Sequence, residues 1–148
     1  MLALTKKTGY GLIAMSHLAG RGDDEFVCAR EIADRFGVPV SLLMNVLKEL
    51  AAAGYLESVR GPHGGYRLAR PPDEIDLAGL VTVLEGPLRL AECVVVDGVD
   101  DESICEIVDH CPIADPVHRI HRKIRDLLKN VTLDEIVSPA AETTAKES

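Results

Sequence analysis

Three cysteines, Cys93, Cys105 and Cys111, share one stretch of a 148-residue chain, and a fourth, Cys28, stands far from them. Eleven residues separate the first two and five separate the last two. Thiolates bind soft metal ions and iron–sulfur clusters. Zinc sites favour close Cys-x2-4-Cys pairs, because one tight turn presents both sulfurs to a single tetrahedral ion. Ferredoxin-type sites use Cys-x2-Cys runs. Neither spacing occurs here. The wide gaps suit a loop draped around something larger than one ion, with a fourth ligand from elsewhere. Three thiolates and one more ligand suffice for an iron–sulfur cluster, but the spacing alone leaves free thiols equally open.

A second constellation is basic. The stretch Ser58-Val59-Arg60-Gly61-Pro62-His63-Gly64-Gly65-Tyr66-Arg67-Leu68-Ala69-Arg70 places two short extended runs, 55–60 and 66–69, around a Gly-Pro-His-Gly-Gly tip. Glycine tolerates positive φ and proline fixes its own, so the tip reverses the chain and a β-hairpin is predicted. Arg60, Arg67 and Arg70 lie on it or beside it, and no acid occurs between Ser58 and Pro72. Such a hairpin can lie against a phosphate backbone or enter a minor groove.

The elements that must position these residues are helical. Residues 5–20 carry an apolar stripe of Leu12, Ile13, Met15, Leu18 and Ala19, with Thr5 as N-cap. Lys6 and Lys7 sit in the first turn, where cations oppose the helix dipole and a nearby phosphate would favour them. Cys28-Ala29-Arg30-Glu31 has the form of a capping box opening a helix to Phe36, with Ile32, Ala33 and Phe36 inward and Cys28 as a structural thiol. Gly37-Val38-Pro39 breaks it. A second helix from Val40 or Ser41 buries Leu43, Val46, Leu47 and Leu50, leaving Ser41, Leu42, Met44, Asn45, Lys48 and Glu49 outward. Two short helices about a tight turn, followed by the hairpin, make a winged helix-turn-helix. Its second helix would enter a major groove.

Pro71-Pro72 marks a boundary. Ile75 to Leu84 is the next predicted helix, closed by Gly86-Pro87, and the cysteine stretch follows as an irregular segment. From Asp115 a long helix repeats Val117, Ile120, Ile124, Leu127, Leu128 and Val131 at spacings of three and four. A narrow seam on an otherwise charged helix calls for a second copy of itself. Residues 131–137 form a short terminal helix, and the polar tail 138–148 is expected to be disordered.

Composition agrees with this plan. The net charge is −8, yet residues 1–70 carry nine Lys/Arg against seven Asp/Glu, and residues 71–148 carry seven against seventeen. One half is suited to an anion and the other to a different task. Neither a membrane-spanning run nor a signal-peptide core is found, so a cytoplasmic protein without a membrane partner is expected. No paired carboxylates, Ser/His arrangement or phosphate-cradling loop points to an enzyme.

The residues also carry a resemblance. Leu4-Thr5-Lys6-Lys7 with Tyr10-Gly11-Leu12, Ile32-Ala33, the hairpin motif and Glu85-Gly86-Pro87 are similar to the Rrf2 family of bacterial transcription regulators, in particular to its IscR-like and NsrR-like members. The likeness runs from Met1 to Val137. It implies a winged-helix homodimer crossed through its long C-terminal helix, with Cys93, Cys105 and Cys111 standing where cluster-binding members carry their three cysteines. There are departures. The first cysteine gap is longer, Ala114 stands where IscR-like members have a histidine, and Gly9 stands where NsrR-like members have an aspartate. His110, Asp115 and His118 are then the candidates for the fourth ligand. Met44 replaces a glutamate of the IscR-like recognition helix, and His63 replaces a glycine at the wing tip.

The expected protein is mainly α with a small β-hairpin wing. Residues 1–72 form the DNA-binding domain, 73–137 the sensor loop and dimerisation helices, and 138–148 the tail. It would be a repressor on a palindromic double-stranded operator, sensing iron–sulfur, redox or nitric oxide status through the cluster. Ser41, Asn45 and Lys48 would approach bases, and Lys6, Lys7, Arg60 and Arg67 would hold phosphates or the minor groove. The alternative is a metal-free winged-helix regulator controlled by thiol oxidation or by a partner protein.

Overall fold

A computed structural model describes residues 4–22, 24–90 and 106–137. Its elements in order are α1 (Lys6–Ala19), α2 (Ala29–Phe36), α3 (Val40–Ala52), β1 (Leu56–Val59), β2 (Gly65–Leu68), α4 (Leu77–Glu85), α5 (Ala114–Asn130) and α6 (Leu133–Val137). Short 3-10 turns at Pro72–Glu74 and Val108–His110 precede α4 and α5. The expected mainly helical architecture with one antiparallel hairpin is present, in the register Leu56↔Leu68 to Val59↔Gly65.

Helix α3 is the centre of the core. Leu43, Val46, Leu47 and Leu50 are its buried residues, the four its periodicity marks out. Helices α1, α2 and α4 pack on it through Ala14, Met15 and Leu18, Ile32 and Ala33, and Leu80 and Leu84. The inner face of α1 differs from the expected stripe. Thr8 and Gly11 are buried, whereas Leu12 and Ile13 are only half-buried. A Cβ on Gly11 would lie 2.6 Å from Leu84 Cδ1, so glycine permits the close approach of α1 to α4.

Phe36 was expected inside and lies outside. Gly37 takes φ 67°, the left-handed helix terminus that favours glycine, and the chain turns there to send Val38 into the core. Val38 N–H then donates to Ala33 O at 3.0 Å, and Phe36 rests edge-on against His17 with ring centroids 5.5 Å apart. The capping box at Cys28 also fails. Cys28 is the N-cap, but its exposed thiol makes no capping bond, consistent with the weak hydrogen bonding of sulfur. Glu31 binds Arg21 instead.

The C-terminal part closes on the same core. Asp76 caps α4 by accepting from Gly79 N–H at 2.7 Å. The backbone on either side of it pairs with the junction of α5 and α6: Leu77 N–H donates to Val131 O and Leu133 N–H to Ile75 O, both at 2.8 Å. Thr132 and Glu135 then form a reciprocal capping box for α6, at 3.4 and 3.2 Å. Leu133 is fully buried beside Ile75. No helix among the described residues is long and apolar enough to cross a membrane.

Because Leu133 is the buried anchor of a five-residue helix, Leu133→Ala should cost about 2–5 kcal/mol of stability. Equilibrium denaturant unfolding measures it, and a loss below about 1 kcal/mol would mean that α6 is not part of the cooperative core.

Candidate nucleic-acid interface

Burial of four residues on one side of α3 fixes its rotation, and Ser41, Leu42, Met44, Asn45 and Lys48 are exposed on the opposite side. Ser41, Asn45 and Lys48 follow one another at spacings of four and three, so they form a polar ridge along the helix. The first turn of α3 contains no acid.

The wing is held beside this helix pair by backbone as well as by sequence. Val27, just before α2, pairs with Tyr66 of β2: Val27 N–H donates to Tyr66 O at 2.9 Å, and Tyr66 N–H to Val27 O at 2.8 Å. Gly65, at φ 154°, makes the contact possible. A Cβ there would stand 2.4 Å from Val27 O. At the tip, Arg60, Gly61, Pro62 and His63 are all exposed.

The two wing arginines differ. Arg60 is exposed at the end of β1. Arg67 is half-buried, its Nε donates to Glu57 at 2.6 Å, and its guanidinium lies 4.6 Å from the Phe26 ring centre. Asp24 stands 4.0 Å from the same group. Arg67 therefore fastens the wing to the loop before α2. Arg70 similarly lies over Tyr55, at 4.7 Å. From sequence the arginines look equivalent, because the Phe26 and Glu57 contacts form only after folding.

At the start of α1 the counter-anions belong to the protein. One oxygen of Glu85, at the end of α4, accepts from Thr8 Oγ1 at 2.6 Å, Thr5 Oγ1 at 2.7 Å and Thr5 N–H at 2.8 Å. These hydrogen bonds, Thr8's first, hold its pKa below the ordinary glutamate value. Lys7 pairs with Glu49 of α3 at 2.8 Å, and Lys6 is exposed. Lys7 thus has a carboxylate partner within the protein in Glu49, with Glu85 also acting on it through space, whereas Lys6 stays exposed. Thr5 is the N-cap as expected, accepting from Thr8 N–H at 3.5 Å.

Of the metal candidates, Cys93 and Cys105 lie outside the described residues. Cys111 is a free, half-buried thiol three residues before α5. His110 is exposed in the preceding 3-10 turn, Asp115 is exposed in the first turn of α5, and His118 is half-buried one turn further on. Among the described residues no three His, Cys, Asp or Glu side chains are grouped closely enough to hold a metal ion.

Along α5, Ile113, Ile120 and Leu127 recur every seven residues and are 60%, 49% and 64% exposed. Val117, Ile124 and Val131 alternate with them and are half-buried. Ile124 and Leu128 line an apolar groove with Leu4, Leu77 and Val81. His121 and Arg125 each bury a ring or guanidinium nitrogen with no partner.

Comparison with known proteins agrees with this geometry. The family described as "Rrf2: Iron-dependent Transcriptional regulator" matches residues 4–139. The HTH-type transcriptional regulator NsrR of Bacillus licheniformis is 29% identical over 136 residues, spanning 92% of this chain and 92% of that protein. Among solved structures, CymR, the global cysteine regulator of B. subtilis, is 28% identical with a TM-score of 0.69, covering 93% of this chain and 97% of that one. T. potens IscR is 27% identical with a TM-score of 0.68, covering 99% and 94%.

The Glu85 contacts give a pH test. A carboxylate whose folded pKa is depressed contributes stability above its unfolded pKa, and that contribution fades as pH falls through the folded value. Thr8→Val keeps the shape and removes the strongest donor. The variant should be less stable at neutral pH, with the gap closing in acid, and carboxyl NMR should show the Glu85 pKa rising. A gap that is constant with pH would assign Thr8 a packing role only.

Proposed function

The chain belongs to the Rrf2 family of DNA-binding winged-helix transcriptional regulators, and on that premise we propose that it is a homodimeric cytoplasmic repressor whose operator affinity is set by an iron–sulfur cluster on Cys93, Cys105 and Cys111. The observation that carries the reading is Cys111, a free, half-buried thiol where the cysteine segment meets α5. It fits a soft thiolate-bound group, and the family's description as iron-dependent supports iron. His110, Asp115 and His118 are the nearby candidates to complete the set. When bound, the cluster supplies iron that reacts with oxidants and nitric oxide.

The chain's own residues connect that segment to DNA. It leaves α4 at Gly86, directly after Glu85, and Glu85 is bonded to Thr5 and Thr8 of α1. Helix α1 in turn reaches α3 through Lys7 and Glu49. A displacement at Gly86 therefore has a short route of polar contacts to the ridge of Ser41, Asn45 and Lys48. That ridge would enter the major groove, with Lys6 and Arg60 on phosphates. Lys7 and Arg67 would act by positioning α1 and the wing. The exposed heptad on α5 would meet its copy in a second chain, so that two ridges address a palindromic operator.

A metal-free reading has its own support. The fold is similar to that of a cysteine regulator, and Cys28 is an exposed free thiol. In that reading thiol oxidation or a partner protein would control the same dimer.

Two experiments test the proposal. Protein purified without oxygen should contain iron and sulfide and absorb visible light. Cys93→Ala, Cys105→Ala and Cys111→Ala should each lose that absorbance and the response of operator binding to oxidants, while Cys28→Ala keeps both. Metal-free wild type whose binding still answers to thiol oxidation would establish the second reading. Leu127→Asp should yield folded monomers by light scattering, with most operator affinity lost; a stable dimer in this variant would move the interface away from α5.

A further inference from the structure

The recognition helix exposes more than its polar ridge. Leu42 and Met44 are 50% and 40% exposed on α3, and they stand on opposite flanks of the Ser41–Asn45–Lys48 line. Helical spacing places Leu42 on the flank of Glu49, seven residues on, which is turned to α1 by its ion pair with Lys7. Met44 lies on the other flank, three residues after Ser41 and four before Lys48. That flank carries no acid.

An apolar side chain flanking a polar, DNA-facing ridge is best matched by an apolar counterpart. Among base edges in the major groove, the C5-methyl of thymine is the one apolar group. Methionine is unbranched and soft, and adjusts to a small convex group more readily than a β-branched residue does. Asn45, next to it, has the paired donor and acceptor that match adenine N7 and N6. We propose that Met44 is a specificity residue that packs on a thymine methyl group in each half-site, beside an adenine addressed by Asn45. The operator would accordingly be rich in A·T pairs under the first turns of α3. This inference rests on the proposal that α3 occupies a major groove.

The test begins with DNA selected from a random-sequence library by the full-length protein. Thymines in the selected site are replaced one position at a time by deoxyuridine, which removes only the methyl group, and affinity is followed by fluorescence anisotropy. Wild type should weaken at one symmetric position by about fourfold per half-site, the value of one buried methyl-sized group. Met44→Ala should bind thymine and uracil DNA equally well at that position, and Met44→Leu should retain the discrimination. Both are substitutions of an exposed residue, so circular dichroism should show no change in folding. Indifference of wild type to uracil at every position, or undiminished discrimination by Met44→Ala, would overturn the inference while leaving the DNA-binding reading intact. A changed oligomeric state in Met44→Ala without a change in discrimination would assign the side chain to a protein contact and overturn it too. If the protein selects no sequence at all, the α3 reading itself falls, and this inference with it.

Discussion

The rotational setting of α3 governs the molecule. Leu43, Val46, Leu47 and Leu50 are all within a few per cent of complete burial, and three other helices are packed on them. Turning α3 by one residue, about 100°, would drive polar side chains into that core and leave leucines in water. Burying a leucine is worth roughly 1.5–3 kcal/mol, so several such side chains outweigh any preference of the surface residues. The outward face is consequently dictated from within. Ser41, Met44, Asn45 and Lys48 stand where they do because of residues that no nucleic acid would touch.

Electrostatics resolves an apparent contradiction in the composition. A chain with net charge −8 belongs to a DNA-binding family, and among the described residues several acids that pack near its basic elements are engaged locally. Glu49 is paired with Lys7, Glu57 with Arg67, and Glu25 and Glu31 with Arg21. Glu85 is occupied by two threonines. Exposed pairs of this kind contribute little stability, commonly under about 1 kcal/mol. Lys6, Lys48 and Arg60 take part in none of these pairs and are exposed.

The sequence made some of these features legible and hid others, for physical reasons. Periodicity identified all four buried residues of α3, because a helix with one core face repeats its apolar residues in register with its turns. The wing could be read from its glycines and proline, and the N-cap from Thr5. Phe36 departs from its helical spacing because the left-handed turn at Gly37 changes which residue reaches the core, and periodicity does not extend across such a turn. Cys28 has the position of a cap but not the chemistry. The role of Glu85 was beyond reach of local pattern, its partners being about eighty residues away. Arg60 and Arg67 likewise separated only once Phe26 and Glu57 were in place.

The wing and the ridge also differ in their freedom to change. Any side chain at Gly65 would collide with the backbone of Val27, so that position is closed to drift and the hairpin stays docked at one height above α2. Residues 41, 44, 45 and 48 project from a helix whose stability is decided on its far side, and they can be exchanged at little energetic cost. With α3 docked on DNA as proposed, gene duplication on such a scaffold would let daughter proteins diverge in the promoters they recognise while inheriting one unaltered mechanical frame.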